Sequence, residues 1–383
     1  MSEAPPPGRV GLLPFGALSA AFFMHLGGRE GGRVRFLGRR DSASTDAILA
    51  HGSLSITTGG ETRTLPAGEI CHRDLLSAYE AGFLPEVVVV SANSDQLLDV
   101  LREAVGLLER LCADAGLDAA ADRWPRLVLS SNGIYHERVR RFLVELLEES
   151  MLFGRLPDLW DGAMGRLVGK LLRGVTFQTG LREGSGVDAV YRPGPPRKTT
   201  VAGGSAADRS RAVEVLAGLG GWFVETDAKP VRTEFDKALV NLWANLLGQL
   251  RGVDADGRFT PLRVGEILTD VDDAELRDLS GHLFAVGRAV RAYAADEDFD
   301  ALHRDAFAMA SAAAAHVPSS VQQVASELAA GRLRAKLTPT EEWLIEPLTR
   351  YARTAGLGES VDYFESLRSR VVERLEAAIA RRA

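Results

Sequence analysis

Lys237, Asn241 and Asn245 stand four residues apart in the stretch "EFDKALVNLWANLL", Glu234 to Leu247. On an α-helix that spacing lines them up in one column. Their neighbours Phe235, Ala238, Leu239, Val240, Leu242, Trp243, Leu246 and Leu247 are mostly apolar. The stretch therefore predicts a largely buried helix that carries an ammonium and two carboxamides. Burying polar groups is costly unless they have partners, so the column is a candidate site. The same residues also fit a structural helix whose lysine reaches solvent along its stem and whose asparagines cap loops.

A second candidate lies near the start, where Pro14-Phe15-Gly16-Ala17-Leu18-Ser19 follows a short apolar run and opens an apolar helix. A dinucleotide fold places G-x-G-x-x-G there, so that the backbone can approach a pyrophosphate at the helix N-terminus. Only the middle glycine is present. Pro14 replaces the first, and Ser19 replaces the third with a residue still small enough for close packing. An ordinary strand-to-helix turn fits the hexapeptide equally well. The next strand ends in "GRR", and Arg39 and Arg40 suit the 2′-phosphate of NADP better than the ribose of NAD. An exposed basic turn is the other reading of that pair.

These residues need elements to position them. "RVGLLPF" (9–15), "RVRFLGRR" (33–40), "PEVVVVSAN" (85–93) and "PRLVLSSNG" (125–133) read as strands, each followed by a helical stretch. The valine run has the near-continuous apolarity of a strand buried on both faces of a parallel sheet. Such alternation predicts an α/β domain with a Rossmann-type, doubly wound sheet. Residues 151–172 read as helical and glycine-punctuated. "GVTFQTG", "VDAVYRPG", "KTTVAGG" and "WFVETD" read as strands extending the first sheet. Beyond Val231 the chain turns rich in Ala, Leu, Glu and Arg at helical spacing, which predicts a mostly α-helical C-terminal domain. The expected division is 1–230 and 231–383.

The chain has 383 residues, 46% hydrophobic and 25% charged, enough for two cores. A net charge of −7 argues against a nucleic-acid binder. No apolar run reaches the length of a membrane span. The start "MSEAPPPGR" lacks the charged and apolar regions of a signal peptide, so a cytoplasmic protein is expected. Cys71 and Cys112 are too few for a disulfide framework, and the seven histidines show no metal-binding spacing, so no metal is expected. Hydrolase elbows and phosphate-binding P-loops are absent. The acidic stretch "TDVDDAELRD" reads as the N-terminus of a helix.

In order along the chain, the strand–turn–helix at the start, "FLGRR" with "DAILAHGSLSIT", "VVVVSAN", "SSNG", "GVTFQTGLREGSGVDAVYRPG", "FDKALVNLWANLL" and "VPSSVQQ" resemble the ketopantoate reductase family. These are NADPH-dependent reductases of a 2-oxo acid. The resemblance spans almost the whole chain except a piece around Met151 to Lys170. It implies a helical domain like the C-terminal domain of 6-phosphogluconate dehydrogenase, a small-molecule substrate and, by analogy, a homodimer. It implies that Lys237 donates a proton to the carbonyl oxygen being reduced and that Asn241 and Asn245 bind substrate. Ser320 would contact the substrate carboxylate, and Glu342 or its neighbour Glu341 would supply the family's substrate-binding glutamate. Phe15, Gly16, Ala17, Leu18, Ser19, Arg39, Arg40 and Asn132 would hold NADPH, with chemistry between the two domains. The family pattern fails at Pro14, at Asn93 where a lysine is usual, and at Val324 where an aspartate is. Those losses leave the substrate open among 2-oxo acids and related carbonyls or imines. The alternative is a catalytically inactive relative that binds a nucleotide or a protein.

Overall fold

The structure is a computed structural model that describes residues 8–28, 32–184, 186–217 and 221–382. Most of the opening "MSEAPPPGR", and residues 218–220 of the helix read at "ADRSRAVEVLAGLGG", lie outside the described residues. The chain divides into two compact units, Met1–Ser131 with His136–Pro230, and Asn132–Tyr135 with Val231–Ala383.

The strands of the first unit are β1 (Val10–Leu13), β2 (Val34–Leu37), β3 (Ser53–Thr58), β4 (Glu61–Pro66), β5 (Cys71–His72), β6 (Val87–Val90), β7 (Arg126–Leu129), β8 (Leu171–Thr176), β9 (Gly180–Glu183), β10 (Val190–Pro193), β11 (Thr199–Ala202) and β12 (Phe223–Glu225). Eight of them form one sheet in the order β12-β11-β8-β7-β6-β1-β2-β5. From β5 to β8 neighbouring strands are parallel; β11 is antiparallel to β8, and β12 runs parallel to β11. All four valines of β6 are fully buried. A β-branched strand covered on both faces contributes about 1.5 kcal/mol or more per side chain by burial, which favours the centre of the sheet. Along β1 and β6, Val10, Leu12, Val87 and Val89 share one core with Phe22 and Phe23 of the Ala17–His25 helix and with Ala212, Val215 and Leu216.

A second sheet, β4-β3-β10-β9, departs from the sequence reading. The stretch "VDAVYRPG" does not extend the main sheet. Its strand β10 pairs in parallel with β3, Val190 opposite Ser55 and Tyr191 opposite Ile56. The β3–β4 hairpin turns at Gly59 and Gly60, both at positive φ, as a two-residue hairpin turn demands. This small sheet closes on the Ala17–His25 helix. A Cβ on Gly180 would lie 2.3 Å from the Ala17 carbonyl oxygen, and His25 Nε2 meets the Gly194 carbonyl at 3.0 Å.

Residues 151–172 are helical only in part: one helix ends at Leu152 and another spans Ala163–Gly169. Polar turns with Asp158 and Gly162 at positive φ break the run between them. Lys170 anchors its end, donating to the carbonyls of Ala121, Asp122 and Trp124 at 2.6, 2.7 and 2.7 Å.

The second unit is helical. Its segments are Pro230–Asn241, a π turn at Leu242–Leu246, Leu247–Arg251, Val264–Asp270, Asp273–Ala289, Phe299–Ser311, Ser319–Ala329, Pro339–Thr354 and Gly358–Arg382. Asp272 caps the Asp273–Ala289 helix through its side chain, which accounts for the acidic stretch. Among the described residues, no helix is long and apolar enough to cross a membrane.

Candidate active site

Strand β1 is flanked by β2 on one side and β6 on the other, so the order of connections reverses between β1 and β6. In such a sheet the crevice outside the carboxyl ends of those strands takes ligands. The hexapeptide sits there. Gly16 caps the Ala17–His25 helix with extended backbone, φ −179° and ψ 175°, a conformation open to any residue. A Cβ on Gly16 would meet nothing within 4 Å. Neither backbone conformation nor protein packing requires this glycine. The helix start has no side-chain cap and no acid in its first turn. Open space before an uncapped helix N-terminus fits a pyrophosphate, for which a helix of this kind offers N–H groups and a favourable dipole.

The remaining turn residues do structural work. The Phe15 ring is buried edge-on to Phe36 at 6.0 Å, leaving its backbone for a ligand. Ala17 and Leu18 are half-buried. Ser19 is fully buried, and its hydroxyl meets that of Ser91 at 2.7 Å. Ser91 follows β6 and donates its backbone N–H to the Leu13 carbonyl at 2.7 Å. Ser19 thus ties the Ala17–His25 helix to the chain that follows β6.

At the carboxyl end of β2, the Arg39 N–H donates to Thr45 Oγ1 at 3.3 Å and the Arg40 N–H to Glu103 Oε1 at 2.6 Å. The Arg40 guanidinium lies 3.6 Å from Asp74 and is half exposed. Glu103 arrives from the Leu97–Ala115 helix, and sequence reading missed it because its partner is 63 residues away. Burial raises its carboxyl to about 7, with Asp74 adding to the rise and the Arg40 N–H and the two guanidinium charges opposing it.

In the helical unit, Lys237 is half-buried while Asn241 and Asn245 are buried. An α-helix rotates a four-residue column by roughly 40° per step. The π turn between Asn241 and Asn245 winds less per residue and offsets part of that drift. The column continues to Gln249, which is fully buried. Asn241 Nδ2 has no acceptor among the described residues. An amide donor left so costs about 1–3 kcal/mol, which a substrate oxygen would recover. A Cβ on Gly248 would lie 2.8 Å from both Ile267 Cδ1 and Val321 Cγ2, so only glycine lets this helix approach the Ser319–Ala329 helix.

Ser320 lies on that second helix and is buried. It does not cap; Pro318 holds the cap position. Its hydroxyl donates to Glu341 Oε1 at 2.7 Å, and Thr338 donates to the other carboxylate oxygen. The Gln249 amide faces the same carboxylate without closing a well-formed hydrogen bond. Burial raises the Glu341 pKa, and the Thr338 and Ser320 hydrogen bonds hold it back. The structure therefore brings Glu341, not Glu342, to Ser320. Glu342 points outward and pairs with Arg368 at 2.9 and 3.0 Å. Adjacent positions on a helix face about 100° apart, so only one of the two carboxylates can turn inward.

Asn132 follows β7 in sequence but begins the strap Asn132–Tyr135, which belongs to the helical unit. Ile134 N–H donates to the Trp343 carbonyl at 3.0 Å and Tyr135 N–H to Glu234 at 3.1 Å. Gly133, at φ +125° and tight against Trp343, is a position only glycine fills easily. Asn132 is thus fixed near the start of the helix that carries Glu341. Among the described residues, no three His, Cys, Asp or Glu side chains gather as a metal site would require.

The sheet and the helical unit define a Rossmann-type α/β fold with a helical C-terminal region. No family model matches the chain, and no curated protein matches its sequence. Solved structures do. D-mandelate dehydrogenase, in a ternary structure with NADH and anilino(oxo)acetate, matches with a TM-score of 0.66 at 14% identity over 97% of this chain and 99% of that one. A PanE/ApbA family ketopantoate reductase from Ralstonia eutropha JMP134 gives 0.57 at 15% identity over 96% and 99%. The dimeric ketopantoate reductase from Staphylococcus aureus gives 0.54 at 12% identity over 95% and 99%. The fold of this chain is ketopantoate reductase-like.

Proposed function

We propose that the protein is an oxidoreductase that reduces a small 2-oxo acid, or a related carbonyl or imine, with NADPH. Residues 1–230 form its nucleotide-binding part and 231–383 its substrate and dimerisation part. The observation that carries this reading is the column of a half-buried lysine and buried carboxamides, with Asn241 Nδ2 lacking an acceptor among the described residues, on a helix whose π turn offsets part of the column's drift. A scaffold has little reason to maintain such a column.

A bound reduced nicotinamide supplies a hydride to the carbonyl carbon. Gly16 and the N–H groups that follow it would cradle the pyrophosphate, with Arg39 and Arg40 at the adenosine end and Asn132 near the substrate. Lys237 would neutralise the charge that builds on the carbonyl oxygen and deliver the proton that completes the alcohol. Asn241 and Asn245 would donate to the acid's oxygens. Ser320 has its proton committed to Glu341, so it would have to release Glu341 to meet a carboxylate; as it stands, it offers an acceptor to a substrate hydroxyl or imine N–H. Glu341 takes the role expected of Glu342.

A homodimer follows by analogy with the dimeric S. aureus reductase. A reducing cytoplasm suits the two buried, free cysteines. The test is titration of NADPH and NADH into the protein, followed by nicotinamide fluorescence, then turnover on a panel of 2-oxo acids. Binding and turnover support the reading. Failure of both nucleotides to bind overturns it.

A further inference from the structure

We infer that Glu103 stands at the 2′ position of the bound nucleotide's adenosine ribose, where its carboxylate counters the preference for a phosphate that Arg39 and Arg40 give. This rests on the reading that the turn after β1 binds a dinucleotide. In a sheet of this topology the end of β2 lies beside that ribose, and an acid there bonds the hydroxyls while an arginine accommodates a phosphate. Here the β2 end offers arginines, yet a carboxylate reaches the same point from another element. Glu103 Oε1 accepts the Arg40 N–H at 2.6 Å. Its Oε2 is buried and has no donor among the described residues. A carboxylate oxygen in that state needs a donor, and a ribose hydroxyl is one whereas a phosphate dianion is not.

The charges at this point are mixed. Arg39 and Arg40 attract a phosphate, while Glu103 and Asp74, the latter 3.6 Å from Arg40, oppose it. Other nearby charges are already paired: Asp99 with Arg102 at 2.7 Å on the Glu103 helix, and Asp46 with Arg73 at 2.6 Å. Because burial raises the Glu103 carboxyl to about 7, its charge changes within the working range of pH. Protonated, Glu103 can donate to a phosphate oxygen and leaves Asp74 as the carboxylate beside Arg40. Ionised, it repels the phosphate and takes the hydroxyl.

The experiment measures dissociation constants of NADPH and NADH for the full chain between pH 6 and 8, in the wild type and in Glu103→Gln. The wild-type preference for NADPH over NADH should fall about fivefold across that range, the effect of a tenfold difference in the proton affinity of Glu103 between the two complexes. The sign is diagnostic, because a 2′-phosphate with a second pKa near 6 gains charge as pH rises and would by itself push the preference the other way. Glu103→Gln should remove the fall and favour NADPH at pH 8. A wild-type preference that is flat or rises with pH overturns the inference, and needs no variant to show it. Equal pH profiles in wild type and Glu103→Gln overturn it as well. If the wild type binds neither nucleotide, the dinucleotide reading itself fails and the inference falls with it.

Discussion

The Pro14–Ser19 turn and the Lys237–Gln249 helix present their polar groups in opposite ways. In the turn, two of three glycines are gone, but Gly16 keeps open space before an uncapped helix start. In the helix, Lys237, Asn241, Asn245 and Gln249 recur every four residues. The difference follows from what each would use to bind. A pyrophosphate is held by backbone N–H groups and a dipole, which many sequences can present. A reacting carbonyl has to be met by particular side-chain atoms, and no other residue type replaces an ammonium.

That contrast can be broken in several places. The largest effect is expected at Lys237. Lys237→Ala should lower kcat on any accepted 2-oxo acid by about 10²- to 10⁴-fold, the usual contribution of a positioned acid, while the melting temperature stays unchanged. Retained turnover would remove the distinction between column and scaffold.

Glu341 comes next, through stability. Its pKa is raised in the folded state, so the native protein holds a proton that the unfolded chain releases. Stability is then fully present below the ordinary glutamate pKa and is lost as pH rises through the folded value, by about 1.4 kcal/mol for each tenfold gain in proton affinity on folding. Urea denaturation at a series of pH values should show this slope in the wild type and a smaller one in Glu341→Gln. Identical slopes would mean that the carboxylate is ionised in its buried setting.

At Gly16 binding should separate from folding. Its backbone is extended and its surroundings are open, so Gly16→Ala should fold with unchanged stability. NADPH affinity should still drop about tenfold, the cost of keeping a ligand's phosphate from close approach. An unchanged affinity would show that the turn does not cradle the cofactor. The smallest effect belongs to Glu342→Ala. An exposed pair with Arg368 is worth about 0–1 kcal/mol, and KM should not move. A raised KM would return the substrate role to Glu342.

Much of the main sheet was legible because its signals are local. A run of valines, a strand followed by an apolar helix, and a helical texture after Val231 each report their own conformation. The second sheet was missed although its hairpin carried a sign, the Gly59–Gly60 pair between alternating residues. The stretch "VDAVYRPG" looked like any other strand, and its choice of β3 as partner is a long-range pairing that no local pattern encodes. The choice between Glu341 and Glu342 was equally beyond reach, since it depends on how one helix is rotated against Ser320.

The amino-acid order by itself determined most strands of the main sheet and the helical texture beyond Val231, because periodicity and side-chain shape act over a few residues. Only the tertiary structure decided which carboxylate turns inward, that Ser19 grips Ser91, and that Glu103 stands at the end of β2. Those outcomes come from packing and hydrogen bonding between residues tens of positions apart, where burial selects among side chains that the local pattern treats alike.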